Sequence, residues 1–345
     1  MERAEPDLVI PGDDLSATNL HELYQRVSGK VDSSIAQLIE SSLGAPASLP
    51  LLYARAAFLH LAGDEGIRVP KTTMISGLEE LRKWSAAAGF PAVLKADGTS
   101  GGDGVKIVHS LEEAELAFHS LSSPPLLAKA LKRAFLDQDM ALLWPSLRRR
   151  RYVVSAQTFV VGHEATSAVA CWKGQVLASV QFAVLNKQDA GGPSTVLRSI
   201  ENLEMSAAAE RVTRRLALSG LHGFDFILED KTGDAFLIEI NPRATQVGHL
   251  ALGPGHDLPS ALRAAWAGES IPETPKVTDE DTIALFPQEW LRNPASTFLR
   301  SGYHDVPWEE PDLVLAGIER RKKLNAWSAP QKWIHSILKA GNPHS

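Results

Sequence analysis

The sequence predicts a protein of the α+β (α/β) class, in which antiparallel strands and helices are grouped in two lobes. Short apolar segments follow one another across tight turns between residues 152 and 184 and again between 223 and 241, which is typical of antiparallel hairpins. Segments with apolar residues at helical spacing lie between and around these strands. The 345 residues are 44% hydrophobic and 22% charged, which suffices for two or three compact lobes with a sizeable core.

Composition excludes several classes of function. The formal charge of −6 and the pI near 6.0 provide no basic field that would attract nucleic acid or an anionic membrane. The N-terminal residues 1–6 lack the apolar core of a signal peptide, and no apolar run reaches the roughly 20 residues that span a bilayer. A single cysteine, Cys171, cannot form an internal disulfide or a thiolate metal site, which fits a reducing cytoplasm. We therefore expect a soluble cytoplasmic protein.

The first part of the chain alternates between strands and helices. The region before residue 50 predicts a short buried strand at 7–13 and helices at Asn19–Val27 and Ser33–Leu43. A helix over 52–65 must stop at Gly66–Pro70. The elements expected next are a strand at 72–75, a helix at 78–88, a strand at 92–96, a glycine-rich loop at 97–104, a strand at 105–108 and a helix that opens with capping-box residues at 110–113.

The second part is richer in strands. The expected elements are strands at 152–161, 165–172 and 176–184, a helix at 203–219, strands at 223–229 and 235–241, and a helix at 257–267. Residues 271–327 carry many Pro and Trp residues and few regular patterns, so we expect a tail that wraps over the core. The basic run Arg148–Arg151 is interpreted as a solvated surface.

Acidic and amide side chains interrupt two otherwise apolar strands. Because side chains alternate along a strand, Asp225 points away from the face that carries its apolar neighbours. In the next strand Glu239 and Asn241 share one face, and Phe236, Ile238 and Ile240 are expected on the other. Each strand therefore offers oxygen atoms to one side of the predicted hairpin.

These oxygen atoms suit a magnesium site. Mg²⁺ usually combines a few carboxylates with substrate phosphates and water, and Asp225, Glu239 and Asn241 supply three such ligands. Arg243 follows two residues later and can grip a phosphate oxygen or a substrate carboxylate in a fork. The alternative is that these groups are solvated outer positions of a hairpin. We favour the functional interpretation, because Asn-Pro-Arg after an apolar strand has no packing rationale.

A second group consists of Lys95 and the loop that follows it. The loop contains three glycines, Gly101, Gly102 and Gly104. Glycines allow backbone N–H groups to approach an anion closely. The spacing matches neither a P-loop nor the dinucleotide fingerprint, and a glycine loop between two strands is better suited to a flap over a phosphate. Lys95 lies on an apolar strand, where a lysine needs an anionic partner. A flexible hairpin tip is the alternative for the loop taken alone.

A third segment could bind a nucleoside. The extended residues Gln157, Thr158, Phe159 and Val160 can offer backbone groups to the edge of an adenine, and Glu164 could accept ribose hydroxyls. Taken alone, this segment is equally an ordinary edge strand.

The three groups, in this order, resemble the ATP-grasp superfamily. Pro91–Lys95 with its glycine loop is similar to the strand and lysine of the family's phosphate lid, and Gln157–Glu164 is similar to its hinge. Gly223–Phe226 and Glu239–Arg243 resemble its metal-binding strands and catalytic arginine. Arg55 stands where members place another basic phosphate contact. The resemblance covers about residues 50–270 and implies two α+β lobes that clasp ATP.

The resemblance also implies a domain organisation. Residues 1–50 correspond to the last part of the small α/β domain that precedes the ATP-grasp fold, so we expect its first β-α-β portion to be missing. Residues 51–270 form the ATP-grasp domain, with a lid-bearing lobe at 51–150 and a metal-binding lobe at 151–270. Residues 271–345 form a C-terminal extension packed on the core, whose end is a candidate for disorder.

The function implied by the resemblance is that of a carboxylate–amine ligase. It would use ATP and Mg²⁺, with Mn²⁺ as a substitute, to convert a small carboxylate to an acylphosphate that an amine or a thiol attacks. A biotin-carboxylase-like enzyme that activates bicarbonate is an alternative, because the residues after the metal strand resemble that branch. A nucleotide-binding module without ligase activity is another. Small-molecule substrates are the expected partners, nucleic acid and membranes are not, and a homodimer is left open.

Overall fold

A computed structural model describes most of the chain and divides it into two compact units. The described residues are 5–29, 33–98, 104–123, 152–189 and 191–319. Gly101 and Gly102 of the glycine loop and the run Arg148–Arg151 lie outside these ranges. One unit comprises residues 1–184 and 199–279, and the other comprises residues 185–198 and the chain from 280 onward. The domain boundaries expected from the sequence remain predictions.

The structure defines the following helices and strands in the described ranges, and residues 311–319 are helical as well. The helices are α1 (Asp14–Val27), α2 (Ser34–Leu43), α3 (Leu49–Leu52), α4 (Arg55–Asp64), α5 (Leu78–Ala88), α6 (Leu111–Ser122), α7 (Leu203–Leu216), α8 (Leu258–Ala267) and α9 (Gln288–Arg292). The strands are β1 (Thr72–Ile75), β2 (Ala92–Ala96), β3 (Val105–Val108), β4 (Val154–Thr158), β5 (Gly162–Trp172), β6 (Gln175–Lys187), β7 (Ser194–Ser199), β8 (Gly220–Glu229), β9 (Ala235–Asn241), β10 (Thr282–Leu285) and β11 (Tyr303–Asp305). Within the described ranges, none of the helices has the length and apolar character that a membrane crossing requires.

The N-terminal segment differs from the expectation. Residues 7–13 form no strand, and α1 begins at Asp14 instead of Asn19. The reason is the side chain of Asp13, which accepts a hydrogen bond from the backbone N–H of Ser16 at 2.6 Å and caps the helix. That bond also lowers the pKa of Asp13. The cap therefore starts the helix one turn earlier than the apolar pattern suggests.

The small antiparallel sheet has the strand order β1-β4-β2-β3. One face packs on α5 and α6 through a core that contains Leu94, Ala156 and Val108. Because β2 alternates, Lys95 lies on the opposite face of this sheet. The sheet thus presents one covered apolar face and one face that carries a buried lysine.

The larger sheet in the same unit contains β6, β5, β8 and β9 in this order. Each of these strands pairs antiparallel with its neighbours. A β-bulge shifts the register of β8 and β9, because Asp225 pairs with Glu239 while Phe226 pairs with Leu237. Ile238 is the extra residue. The expectation that Phe236 and Ile238 share the buried face with Ile240 is therefore wrong, since Leu237 enters the core in their place.

The second unit corrects the expectation of an irregular tail. Strand β10 pairs antiparallel with β7 and parallel with β11, and α9 follows β10. Glu289 of α9 is fully buried and bound by Arg292 at 2.5 Å and 2.6 Å. These elements were missed because strands of three or four residues, separated by prolines and tryptophans, are too short to show a periodic pattern.

Candidate functional site

The centre of the site is a pair of carboxylates on neighbouring strands. Asp225 of β8 and Glu239 of β9 lie directly opposite each other, next to the β-bulge. Asn241 faces Gly223 one step along the ladder, and its Nδ2 donates a hydrogen bond to Asp225 Oδ2 at 2.8 Å. The structure therefore brings together the three oxygen ligands that the sequence singled out. A bulge beside such a cluster turns the side chains that follow it toward the site.

The two carboxylates have different pKa values. Burial and the neighbouring charge of Glu239 raise the pKa of Asp225 to about 6. Burial also acts on Glu239, but Arg55 and Lys95 outweigh it and lower the pKa of Glu239. Both groups are ionised near neutral pH, with Glu239 the more firmly so. Two anionic side chains and one amide then face the same side of the sheet.

Arg55 connects this cluster to the small sheet. Its Nη2 donates to Glu239 Oε1 at 2.7 Å, and its Nη1 donates to the carbonyl of Ala96 at 3.3 Å, at the end of β2. Nη1 also lies 3.6 Å from Asp97 Oδ1. The side chain is only 9% exposed, and its Nε has no hydrogen-bond partner among the residues that the structure describes. Arg55 is thus a buried cation placed between β2 and β9.

Lys95 is the second buried cation. It is 5% exposed on β2, and burial and the nearby charge of Arg55 lower its pKa to about 8. The carboxylates of Glu239, Asp225 and Glu164 oppose this shift. Lys95 therefore lies in the field of the predicted metal ligands and of the predicted ribose-binding glutamate. Partly neutral lysines of this kind are common at functional sites.

An apolar patch around Lys95 was missed in the sequence. Val93 lies on the same face of the small sheet, opposite Ile107 of β3, and Met74 of β1 lies on this face too. Ile107 and Met74 are 53% and 56% exposed although they stand on strands. The signal was available, because strand alternation places Val93 and Lys95 on one face. The patch offers an apolar surface beside a cation.

The predicted hinge follows β4 and leads into β5. Gln157 is 3% exposed, and its Nε2 donates to Thr72 Oγ1 at 3.1 Å. Thr158 bonds to the backbone of Lys71, while Phe159 and Val160 are partly buried between the two strands. Whether any of these residues contacts adenine stays a prediction. At the lid, Gly104 is buried and its carbonyl accepts a hydrogen bond from the backbone N–H of Ala96 at 2.8 Å.

Arg243 is held beside the predicted metal ligands. Its Nε donates to Asp14 Oδ1 at 2.8 Å, and its Nη2 lies 3.4 Å from Asn241 Oδ1. Nη1 donates to the carbonyl of Ala244 at 3.3 Å. The charge of Arg243 opposes the effect of burial on the pKa values of Asp225 and Glu239, which places it in the same cluster.

The loop after Arg243 closes against β8 at a glycine. A Cβ atom at Gly223 would lie 2.4 Å from Thr245 Cγ2 and 3.4 Å from Asn241 Cβ. Only glycine therefore allows the loop to approach the strand so closely. Within the described part of the chain, the buried Oγ1 of Thr245 has no hydrogen-bond partner. Thr245 was not singled out in the sequence, because no pattern indicates which strand residue a loop contacts.

The donor set fits a magnesium ion that is shared with a substrate. Across the described residues, no group of three or more His, Cys, Asp and Glu side chains could hold a metal ion. Asp225, Glu239 and Asn241 instead provide two carboxylates and one amide on one face. Mg²⁺ commonly takes one or two carboxylates and completes its shell with phosphate oxygens and water.

Comparison with protein families and curated sequences identifies similar proteins. The family model described as carbamoyl-phosphate synthase L chain, ATP binding domain, matches residues 55–252. The carbamoyl phosphate synthase large chain of Brucella melitensis is 24% identical over 265 residues, which cover 73% of this chain and 22% of that protein. The large chain from Thermus thermophilus is 25% identical over 236 residues, or 67% and 21% of the two chains. The chain thus spans about a fifth of the length of these relatives.

Solved structures share the fold at low sequence identity. Biotin carboxylase from Campylobacter jejuni, in complex with β,γ-ATP, has a TM-score of 0.55 at 15% identity, with 79% of this chain and 56% of that chain covered. N5-carboxyaminoimidazole synthase from Aspergillus clavatus, in complex with ADP and 5-aminoimidazole ribonucleotide, has a TM-score of 0.53 at 15% identity, with 73% and 58% covered. The biotin carboxylase domain of Hydrogenobacter thermophilus 2-oxoglutarate carboxylase, with MgADP and bicarbonate, has a TM-score of 0.51 at 15% identity, with 74% and 57% covered. These likenesses confirm the expected fold.

Proposed function

Since the chain belongs to the family of the carbamoyl-phosphate synthase L chain ATP-binding domain and has the ATP-grasp fold, we propose that it is a Mg-ATP-dependent ligase that activates a small carboxylate as an acylphosphate. The observation that carries this proposal is the register of β8 and β9. It places Asp225, Glu239 and Asn241 on one face, within the field of Lys95 and Arg243. Two carboxylates among three cations suit a magnesium ion with a polyphosphate.

The nucleotide would lie between the two sheets. Lys95 and Arg55 supply positive charge to the phosphates, and Glu164 lies where it could accept ribose hydroxyls. The apolar side chains of Val93 and Ile107 could cover one face of the purine. Asp225, Glu239 and Asn241 would hold Mg²⁺, with Mn²⁺ as a substitute. The bound cation would neutralise phosphate charge. Structural neighbours in complex with ADP and β,γ-ATP support the choice of ligand.

The proposed reaction has two steps. A carboxylate oxygen of the substrate attacks the γ-phosphorus, the bond from that phosphorus to the β–γ bridging oxygen breaks, and ADP leaves. An amine nitrogen, or a thiolate sulfur, then attacks the acyl carbon, phosphate leaves, and an amine releases its proton to solvent. Arg243 would stabilise the charge that develops on the transferred phosphoryl group, and Lys95 would do so on the side of the leaving ADP. No protein nucleophile is required, because the residues position the reactants and neutralise charge.

Bicarbonate is an alternative carboxylate. One structural neighbour binds bicarbonate, and the residues after Asn241 resemble that branch. However, the branch places an acid at the position of Gly248, whose backbone N–H closes a turn on the carbonyl of Thr245 at 3.0 Å. We therefore rank bicarbonate below an organic carboxylate and include it in the test.

The test measures ADP release by the purified full chain. A panel of carboxylic acids and bicarbonate is assayed with and without amines, and Glu239→Gln is compared with Glu273→Gln, which removes an equal charge from an exposed loop. We expect ADP release that depends on acid, amine and Mg²⁺ in the wild type and in Glu273→Gln, and its loss in Glu239→Gln. Nucleotide binding without turnover would instead support a binding module. ATP binding that does not depend on Mg²⁺ and that is unchanged when Lys95 and Glu239 are replaced would overturn the proposal.

The setting of this reaction is part of the proposal. We place the protein in the cytoplasm because its single cysteine, Cys171, cannot form an internal disulfide, as is usual in a reducing compartment; its thiol is also fully buried. Burial raises the pKa of that thiol, which keeps it protonated and unreactive. Small-molecule carboxylates and amines are the proposed partners. A homodimer is tested by light scattering of the purified chain.

A further inference from the structure

The N-terminal segment docks directly on the end of the metal-binding strand. The backbone N–H of Ala244 donates to the carbonyl of Pro11 at 2.9 Å, and Arg243 Nε donates to Asp14 Oδ1 at 2.8 Å. Asp13, between these two contacts, caps α1 and also lies in the field of Arg243. Residues far from the nucleotide-binding strands in sequence thus reach the predicted catalytic arginine.

The guanidinium group of Arg243 is engaged on three sides. Nε bonds to Asp14 at 2.8 Å, Nη1 to the carbonyl of Ala244 at 3.3 Å, and Nη2 approaches Asn241 Oδ1 at 3.4 Å. The bond to Asp14 is the short, charge-assisted one, so this carboxylate contributes most to the orientation of the plane. An arginine side chain has many rotamers, and such an anchor restricts them before a substrate binds.

We propose that Asp14 is a positioning residue, which holds the Arg243 guanidinium in the plane that faces the transferred phosphoryl group. This inference rests on the proposed function, because it assigns Arg243 to that group. A misplacement of about 1 Å in a catalytic group can cost roughly 100-fold in rate, so orientation has a measurable value. Asp14 itself does not touch the reactants. It acts only through Arg243.

Asp14 is not needed to hold α1 in place. Ala17 and Leu20 of this helix are buried in the core, and Asp13 provides the cap. The hydrogen bond between Ala244 and Pro11 ties the segment to the loop without any side chain. The side chain of Asp14 is 41% exposed, as expected of a group that contributes little to folding. The carboxylate also lies in the field of Arg55, which places it at the edge of the cation cluster.

The experiment compares Asp14→Asn and Asp14→Glu with the matched control Glu22→Gln. Glu22 lies on the same helix, is 54% exposed and pairs only with Arg26 among the contacts of its side chain that the structure describes. Two quantities are measured on the full chain: kcat and KM for MgATP from ADP release, and the Nε–H signal of Arg243 in ¹⁵N NMR spectra. Arg243→Lys identifies that signal by its disappearance.

We expect Asp14→Asn to lower kcat about tenfold while KM for MgATP changes less than about twofold. The Arg243 Nε–H proton should exchange faster with water in this variant, and Asp14→Glu should recover part of both effects. In Glu22→Gln, kcat, KM for MgATP and the Nε–H signal should stay near the wild-type values. The melting temperatures of the variants should also stay near that of the wild type. An unchanged Nε–H signal, or a rise in KM with constant kcat, would overturn the inference.

The outcomes separate this inference from the proposed function. A wild type that releases ADP together with an unimpaired Asp14→Asn variant would overturn the role of Asp14 alone. A wild-type chain that neither binds MgATP nor releases ADP would overturn the proposed function and the inference with it.

Discussion

Arg55 Nη2 lies 2.7 Å from Glu239 Oε1, so the first residue of α4 is bound to a metal-ligand candidate that follows 184 residues later. The same guanidinium reaches the carbonyl of Ala96 and the carboxylate of Asp97 at the end of β2. Arg55 thereby joins the end of β2 to β9. A divalent cation on Glu239 would be repelled by Arg55 unless an anion lay between them. A nucleotide phosphate is an anion that could bridge these two cations.

The first prediction concerns the stability that this pair provides. Removing either partner, by Arg55→Met or Glu239→Leu, should reduce the free energy of unfolding by about 3 kcal/mol. We use the lower end of the range for buried pairs because the Glu239 side chain is 31% exposed. The double variant should lose at least 1 kcal/mol less than the sum of the single losses, since each single variant leaves the other member of the pair without its partner and the double variant leaves neither. Urea unfolding of the wild type, the two single variants and the double variant gives the coupling free energy of the pair.

The exposed pair Arg26–Glu22 provides the matched control for this cycle. These side chains are 75% and 54% exposed at a distance of 3.3 Å, and such pairs couple by only about 0.5 kcal/mol. A coupling for Arg55–Glu239 no larger than that of the control would show that the buried pair does not link the two strands energetically.

The second prediction separates Lys95 from a neighbouring lysine. Lys95→Met should weaken ADP and ATP binding by roughly 10- to 100-fold, because a charged hydrogen bond to phosphate contributes about 1.5–3 kcal/mol. The melting temperature should not fall, since burial disfavours the charged form of Lys95. Lys106→Met is the control, because Lys106 pairs with Leu94, on the face of the sheet opposite to Lys95, and its side chain is exposed. Equal affinities of the two variants, measured by calorimetry, would remove Lys95 from the phosphate site.

The third prediction follows from the pKa of Lys95, which is lowered to about 8 in the free protein. Phosphate groups stabilise the charged amine, so binding raises this pKa toward its ordinary value. Near pH 7 Lys95 is charged with or without nucleotide, and binding exchanges few protons. As the pH rises through 8, the free protein loses the proton, binding must take it up again, and the affinity falls by up to tenfold per pH unit.

Calorimetry in two buffers of different ionisation enthalpy measures this proton uptake. We expect an uptake that grows from pH 7 to pH 9 in the wild type and is absent in Lys95→Met. Uptake that persists in Lys95→Met would assign the effect to another group.

The sequence pattern predicted part of the site, because side chains alternate between the two faces along a strand. Glu239 and Asn241 could be placed on one face because they lie two residues apart in one strand, and Asp225 could be placed opposite its apolar neighbours in the other strand. The prediction from alternation is wrong at Ile238, because a bulge inserts this residue and places Leu237 in the core. A bulge depends on how two strands pair, which a single strand does not reveal.

Long-range contacts could not be predicted from local pattern. Asp14 and Arg243 are 229 residues apart, and nothing in either segment specifies the other. Arg55 could be noticed only through its place in a family resemblance, whereas its bond to Glu239 depends on the packing of α4 against β9. The start of α1 could be predicted from the sequence, because an Asp side chain such as that of Asp13 can cap a helix by accepting a hydrogen bond from the backbone N–H three residues later. The expectation of a strand at 7–13 overlooked it.

The last prediction tests the close approach of the loop at residues 242–250 to β8. Gly223→Ala would place a Cβ atom 2.4 Å from Thr245 Cγ2 and 3.4 Å from Asn241 Cβ. We expect a loss of about 1–3 kcal/mol in the free energy of unfolding, because overpacking forces the loop outward. Mn²⁺ affinity with bound ADP, measured by electron paramagnetic resonance, should fall as well, since the shift reaches a ligand candidate.

The second variant Gly223→Ala/Thr245→Ser makes this prediction specific. Serine keeps the Oγ of Thr245 but removes the Cγ2 methyl group, so the clash disappears while the polar atom stays. We expect the double variant to recover most of the lost stability and metal affinity, and Thr245→Ser alone to cost less than about 1.5 kcal/mol. A double variant as impaired as Gly223→Ala would place the strain elsewhere, at the Asn241 side of β9. Recovery of stability without recovery of Mn²⁺ binding would separate the packing role of Gly223 from the metal site.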